Sequence, residues 1–321
     1  MKCKSVIIVC GDPKSIFNEI LIKTLKNKIF RGVKFSIVII GSKKLFKKEL
    51  KRLKTKINLQ NFYNQTNLRK NNIYNIDVPF DFKKLSLAKK NSYIKKSFEV
   101  ALKLLKNDDS FALINGPISK TTFLKGKFNG ITEFLAFKTR SSNEVMFLFN
   151  KELSVSPITT HIPINKVAQK IKKRTIIIKI NSINNFYKKF LGFKPRIAVT
   201  GLNPHCETFK GKNIEKTEIL PAIKILKKKK LSVLGPLSAD TVFLKENRKK
   251  FNIIVGMYHD QVLGPMKTIF GFDAINITIG LPFIRITPDH GPNYKMFGLN
   301  KSNPKSLIQA FSFLNKYAIK A

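Results

Sequence analysis

The sequence predicts a two-domain α/β protein, and three observations carry that reading. The chain has 321 residues, more than one compact core usually organises, so two domains of roughly 150 residues each are expected. Short β-branched runs alternate with helical patterns, the arrangement of parallel βαβ units. Several of those runs end in polar clusters, and open α/β sheets bind their ligands at the carboxyl ends of strands.

Ser5–Cys10 reads as the first strand. Its apolar run is too short for a signal peptide and leads into Gly11-Asp12-Pro13 without a small-residue cleavage site, so a buried strand is expected. Ser15 can cap the following helix, whose apolar face carries Ile16, Ile20 and Leu21. Phe35–Ile40 and Ile73–Val78 follow as strands, and Leu85–Leu105 as a helix striped by Ala88, Ile94, Phe98, Ala101 and Leu105. Phe111–Ile114 is a further strand, ending at Asn115-Gly116-Pro117. The middle of the chain offers Val145–Phe149, Thr175–Ile180, Arg196–Thr200, Ser232–Leu234, Asn252–Val255 and Ala274–Ile279 as strands, with helices between them. Pro304–Ile319 reads as a closing helix with Leu307, Ala310, Phe311, Leu314 and Ala318 on one side. A break between domains is expected near residue 120.

Composition narrows the function classes. Hydrophobic residues make up 43% of the chain, enough for real cores, and no apolar run approaches the roughly 20 residues that cross a bilayer. Three cysteines (Cys3, Cys10, Cys206) form no CxxC pair, so no disulfide framework or thiolate zinc site is expected, and a reducing cytoplasm fits. The net charge of +42 invites a nucleic-acid reading. The excess is nearly all Lys spread along the whole chain, and no zinc-finger, recognition-helix or aromatic RNA-binding pattern accompanies it. Runs such as Lys227–Lys230 end a predicted helix, where cations suit the dipole. No specific nucleic-acid partner and no membrane are expected.

The polar clusters follow one pattern. They are Gly11-Asp12-Pro13, Asn115 to Lys120, Thr159-Thr160-His161, Gly201 to His205, Gly235 to Thr241, and Tyr258-His259-Asp260-Gln261. The chain has four histidines, and three of them (His161, His205, His259) fall at such strand ends. Each alone could serve only local backbone hydrogen bonds. Three in equivalent positions point to a divalent metal ion, because neutral imidazoles suit zinc and similar first-row ions and leave positions for substrate oxygen. Asp240 and Asp260 lie beside these histidines and could orient imidazoles, move protons or cap helices. A second constellation looks made for an anion: Lys267, Asn276 and Arg285, with Ser119, Lys120 and Thr132 upstream. Arg285 is a cation inside an apolar strand-like run, and such an Arg needs a phosphate, a carboxylate or a structural salt bridge.

The ordered segments Asn115-Gly-Pro-Ile-Ser-Lys120, Thr159-Thr-His-Ile-Pro163, Gly201-Leu-Asn-Pro-His205, Ala239-Asp-Thr241, Met257-Tyr-His-Asp-Gln-Val262, Gly280-Leu-Pro282 and Pro288-Asp-His-Gly291 run along the whole chain. In their order and spacing the sequence resembles the 4-hydroxythreonine-4-phosphate dehydrogenases of pyridoxal phosphate biosynthesis. The resemblance implies a two-domain α/β/α fold of the isocitrate and isopropylmalate dehydrogenase type. It implies a first domain of residues 1–120 joined by about 285–321 and a second of about 121–284, with the active-site cleft between domains. It also implies a homodimer whose site lies at the subunit interface. The implied metal ligands are His161, His205 and His259, holding one zinc, magnesium or cobalt ion per subunit. The implied phosphate ligands are Thr132, Lys267, Asn276 and Arg285, with Asp240, Asp260 and Lys120 close to the chemistry. The implied reaction oxidises the C3 hydroxyl with NAD or NADP, bound around Pro288–Gly298, and the β-keto acid then loses carbon dioxide.

The chain departs from that family in four places. The first loop, Gly-Asp-Pro-Ala-Gly-Ile-Gly-Pro-Glu in the family, has Lys14, Ser15, Phe17 and Asn18 here. Ile131 stands where the family has a substrate-contacting His. The glycine-rich stretch after His205 is replaced by Cys206 to Lys212, and Pro292-Asn293 replace Thr-Ala beside the cofactor. A working enzyme with weaker loops, altered substrate or cofactor preference, or loss of cofactor binding are the readings these changes bring.

Overall fold

The structure is a computed structural model and describes residues 3–64, 67–82, 86–106, 110–119, 123–124, 128, 130–206, 213–271, 273–288 and 291–318. Its strands in chain order are β1 (Ser5–Val9), β2 (Ser36–Gly41), β3 (Leu59–Asn61), β4 (Ile73–Asp77), β5 (Ser110–Asn115) and β6 (Val145–Phe149). They continue as β7 (Ser154–Pro157), β8 (Ile197–Thr200), β9 (Val233–Leu237), β10 (Ile253–Gly256), β11 (Ile275–Ile279) and β12 (Ile284–Thr287). The chain divides into two compact units, Met1–Lys138 with Pro282–Ala321, and Thr139–Leu281. Among the described residues no helix is long and apolar enough to cross a membrane.

In the first unit the strand order is β3-β4-β2-β1-β5-β12, and every pairing is parallel. The central strand Ser5–Val9 is buried at all five positions, as a parallel strand covered on both faces must be. Helix Leu87–Leu104 begins at Ser86, whose hydroxyl accepts from the Lys89 amide at 3.2 Å, and buries Tyr93, Ile94, Phe98 and Ala101. Helix Ile131–Thr139 belongs here because Phe134 packs edge-on against Phe98, with ring centroids 6.0 Å apart. The unit boundary therefore lies between Lys138 and Thr139, beyond the break expected near residue 120.

In the second unit the order is β11-β6-β7-β10-β8-β9. β6 runs antiparallel to both of its neighbours, and β7, β10, β8 and β9 are mutually parallel. Leu148, Val155, Ala198, Ile254, Val262 and Met266 meet in one buried cluster beneath these strands.

Two expectations are corrected. Thr175–Ile180 is not a strand but part of helix Lys173–Phe186. Its β-branched run suggested period two, yet Ile176, Ile180 and Ile183 are the buried set, and that spacing is helical. Ser15 is not the cap of the first helix: Phe17–Lys26 has Ile16 at its N-cap position, and the Ser15 hydroxyl only accepts weakly from the Phe17 amide at 3.4 Å. The closing helix is observed as Lys305–Phe313 with a wider turn at Leu314–Ala318, while Ile319 lies outside the described residues.

Close backbone approach fixes the first polar cluster. Gly11 has φ +73, and a Cβ there would stand 2.6 Å from the Pro117 carbonyl. A Cβ on Gly116 would stand 2.4 Å from the Cys10 carbonyl, so the ends of β1 and β5 touch through two glycines.

Candidate active site

Three neighbouring parallel strands of the second unit, β7, β10 and β8, end side by side, with Pro157 opposite Gly256 and Val255 opposite Val199. His161, His259 and His205 follow those ends by four, three and five residues. Adjacency in the sheet, rather than spacing in the chain, brings the three loops to one edge.

Buried hydrogen bonds tie the loops to one another. The Thr159 amide and hydroxyl both donate to the Met257 carbonyl, at 3.1 and 2.7 Å, joining the His161 loop to the His259 loop. Gln261 joins the His259 loop to the His205 loop. Its Oε1 accepts from the Met257 amide at 2.6 Å and the Thr200 hydroxyl at 2.9 Å, while its Nε2 donates to the Gly201 carbonyl at 2.8 Å. Glu215, fully buried, clasps the same loop by accepting from the Leu202 and Asn203 amides at 2.9 and 2.8 Å and from Asn203 Nδ2 at 2.9 Å. Such satisfied polar networks hold backbone in one arrangement.

Within this frame the His161 and His259 rings lie 5.4 Å apart between centroids. His259 opens helix His259–Phe270, and its Nδ1 meets Asp260 Oδ1 at 2.6 Å. With Nδ1 held by Asp260, Nε2 is the nitrogen left to meet a ligand, the arrangement in which a carboxylate orients a metal-binding imidazole. His205 Nδ1 is 3.9 Å from Asp240 Oδ2, a looser version of the same pairing between two exposed side chains. His205 and Cys206 both have left-handed backbone, with φ 55 and 57, a costly conformation for non-glycine residues. Among the described residues no three His, Cys, Asp or Glu side chains stand together as a set able to hold a metal ion. The donor chemistry nevertheless fits a first-row divalent ion: two imidazoles in contact, a third in the loop after the adjacent strand, and Asp260 and Asp240 beside His259 and His205 in turn.

The first unit holds the second constellation in part. Arg285, on β12, is 2% exposed. Its Nε donates to Asn115 Oδ1 and its Nη1 to the Thr132 hydroxyl, both at 2.8 Å. Burial lowers the guanidinium from its usual value to about 10, against the opposing pull of Glu133, so it stays cationic at neutral pH. Ile131 lines a cavity of about 480 Å³ in this unit, together with Asn115, Ser119 and Thr287. Arg285 and Thr132 are thus brought together. Lys267 and Asn276 lie in the second unit, on the last turn of helix His259–Phe270 and on β11. Lys120 lies outside the described residues, as do residues 289–290 of the suspected cofactor stretch. In the remainder of that stretch Tyr294 donates to Asp12 Oδ2 at 2.7 Å.

Sequence reasoning named the histidines but not the residues that hold their loops. Gln261 was visible only as a neighbour of His259. Glu215 had one signal: the chain carries only 19 acidic residues, and this one follows a lysine-rich loop by three positions.

Comparison with known proteins gives the family and the fold. Residues 34–314 match the family model described as pyridoxal phosphate biosynthetic protein PdxA. The chain is 39% identical over 313 residues to a 4-hydroxythreonine-4-phosphate dehydrogenase of Sulfurihydrogenibium sp., covering 94% of this chain and 95% of that one. It is 32% identical to a D-threonate 4-phosphate dehydrogenase of Salmonella typhimurium, covering 96% and 97%. Among solved structures, a 4-hydroxythreonine-4-phosphate dehydrogenase from Klebsiella pneumoniae superposes with a TM-score of 0.84 at 28% identity, covering 97% and 98%. The fold alone extends to an isocitrate dehydrogenase from Methylococcus capsulatus, with a TM-score of 0.50 at 11% identity, covering 97% and 85%.

Proposed function

The chain belongs to the PdxA family of pyridoxal phosphate biosynthesis, and from that premise we propose that it oxidises 4-hydroxy-L-threonine 4-phosphate at C3 with a nicotinamide dinucleotide. The hydroxyl proton leaves to solvent, the C3 hydride passes to the nicotinamide ring, and the β-keto acid loses carbon dioxide to give 3-amino-2-oxopropyl phosphate. The observation that carries this reading is the alignment of His161, His259 and His205 beyond three adjacent parallel strands.

His161, His259 and His205 would hold one divalent ion, zinc, magnesium or cobalt. When bound, such an ion supplies Lewis acidity that lowers the pKa of the C3 hydroxyl and polarises the ketone. Asp260 keeps the His259 tautomer that offers Nε2. Asp240 stands behind His205 in the same sense. Arg285 and Thr132 would supply phosphate donors, and Lys267 and Asn276 are the further donors proposed for the same group. The dinucleotide is assigned to the neighbourhood of Pro288–Gly298, and the working form is a homodimer with the site at the subunit interface.

A second reading takes D-threonate 4-phosphate as substrate, because a relative of that name is 32% identical and apolar Ile131 lines the first-unit cavity. One experiment separates the two. Purified protein is given each substrate with NAD+ or NADP+, with added metal and after chelation, and reduced nicotinamide is followed by absorbance. Metal-dependent turnover of 4-hydroxythreonine 4-phosphate, lost in His205→Ala, supports the first reading. Turnover of D-threonate 4-phosphate alone replaces it with the second.

A further inference from the structure

The first unit contains a cavity of about 1020 Å³ beside the Asp12 loop. We infer that this cavity binds an adenine nucleotide bearing a 2′-phosphate, so that the protein uses NADP+ in preference to NAD+. The inference rests on the proposed use of a nicotinamide dinucleotide and goes further by assigning its pocket and its form.

Size and walls come first. The volume is at the upper end of small-molecule pockets, which run to roughly 1,000 Å³. Phe297 and Phe82 lie 6.4 Å apart on its wall, and Phe297 remains 41% exposed, which leaves aromatic surface for a base. Tyr294 closes one side, its hydroxyl on Asp12 Oδ2.

Charge decides the form of the ligand. Cations around a cavity mean little in a chain with 61 Lys and Arg, so the informative fact is what the carboxylates are doing. A pocket for NAD+ needs a carboxylate free to accept from the ribose 2′-hydroxyl, whereas a pocket for NADP+ needs cations instead. Among the described residues Glu49 is the one carboxylate lining this cavity, and Arg52 spans both of its oxygens, from Nε at 3.0 Å and Nη2 at 2.5 Å. Asp12, at the cavity's edge, accepts from Tyr294 at 2.7 Å and meets Lys90 Nζ at 2.5 Å. With both carboxylates engaged, Lys14 and Lys48 line the cavity exposed, and among the described residues their ammonium groups have no ion-pair partner. A dianionic phosphate is the group that satisfies both.

Calorimetry on the intact protein tests this with three fragments: 5′-AMP, 2′,5′-ADP and 3′,5′-ADP. The last carries the same charge on the neighbouring hydroxyl and controls for the general basicity of the chain. The expected result is that 2′,5′-ADP binds at least tenfold more tightly than either of the others. In Lys14→Ala/Lys48→Ala that advantage should fall to threefold or less. Equal affinities for 2′,5′-ADP and 3′,5′-ADP, or 5′-AMP binding as tightly as 2′,5′-ADP, would overturn the inference. So would an undiminished advantage in the double variant, or turnover with NAD+ at a kcat/KM above that with NADP+. The proposed reaction fails separately, if neither dinucleotide is reduced with any phosphorylated hydroxy acid while 2′,5′-ADP still binds.

Discussion

Gln261 Nε2 donates to the Gly201 carbonyl at 2.8 Å, so the residue two places after His259 is bonded to the residue four places before His205. The same amide's oxygen takes the Met257 amide and the Thr200 hydroxyl, which leaves its orientation no freedom. Gln261→Glu keeps an acceptor for Met257 and removes the donor to Gly201. Divalent-metal affinity, read by competition with a chelator, is expected to fall roughly 10-fold or more, because the loops carrying two of the proposed ligands lose the bond that joins them. The Co²⁺ absorption spectrum should change with it while far-ultraviolet circular dichroism does not, and an unchanged spectrum would deny Gln261 this positioning role.

Arg285→Lys keeps the charge and loses the planar fork that reaches Asn115 and Thr132 together. KM for the phosphorylated substrate should rise on the order of tenfold or more, consistent with about 1.5–3 kcal/mol for a hydrogen bond to a charged group. A substrate analogue lacking the phosphate should show no comparable change in kcat/KM.

Ile131→His puts a polar side chain back into the cavity of about 480 Å³ beside Asn115 and Ser119. A hydrogen bond to substrate is worth about 1–3 kcal/mol when its loss strands a buried polar group, so KM should drop by roughly tenfold. If KM stays unchanged for both 4-hydroxythreonine 4-phosphate and D-threonate 4-phosphate, Ile131 does not face the substrate.

Glu19 ties helix Phe17–Lys26 to the segment Asn300–Ser302. Its carboxylate meets Lys23 at 2.9 Å and Arg52 at 2.7 Å, and accepts from the Ser302 amide at 2.8 Å. Burial alone would raise its pKa, but the hydrogen bonds from Ser302 and Lys23 prevail and hold it at about 2, against the usual 4.5. A lowered folded-state pKa means that this stabilisation is present above the unfolded value and is lost as pH falls from about 4.5 to about 2. Glu19→Gln should cost about 2–3 kcal/mol at neutral pH by urea unfolding, with the gap to wild type narrowing below pH 4.5.

Much of this was legible in the sequence because strands and their polar ends are local signals. Ser5–Val9, Val145–Phe149 and Ile253–Gly256 lie within a residue or two of their predicted positions, since a buried parallel strand is a short β-branched run with a polar stop. Thr175–Ile180 misled for the same reason: isoleucines favour strands, and only tertiary burial of Ile176, Ile180 and Ile183 settles the period. β7 was not foreseen at all, because Ser-Val-Ser-Pro has no apolar run to announce it. Its place beside β10 is what sets His161 against His259. The roles of Gln261 and Glu215 were illegible, since each depends on a carbonyl or amide about sixty or a dozen residues away.

The division of the chain also orders events during synthesis. The second unit, Thr139–Leu281, is continuous, so all its strands have been made before any residue of β12 exists. The first unit begins earlier yet must wait: β5 has no partner on its outer side within the unit until Ile284–Thr287 arrives, and Glu19 has no Ser302. A nascent chain therefore completes its later-starting unit first, and the N-terminal half carries an open parallel edge through most of translation. Such an edge is what chaperones and aggregation compete for, and a slow stretch of codons after residue 281 would prolong that exposure without changing any amino acid.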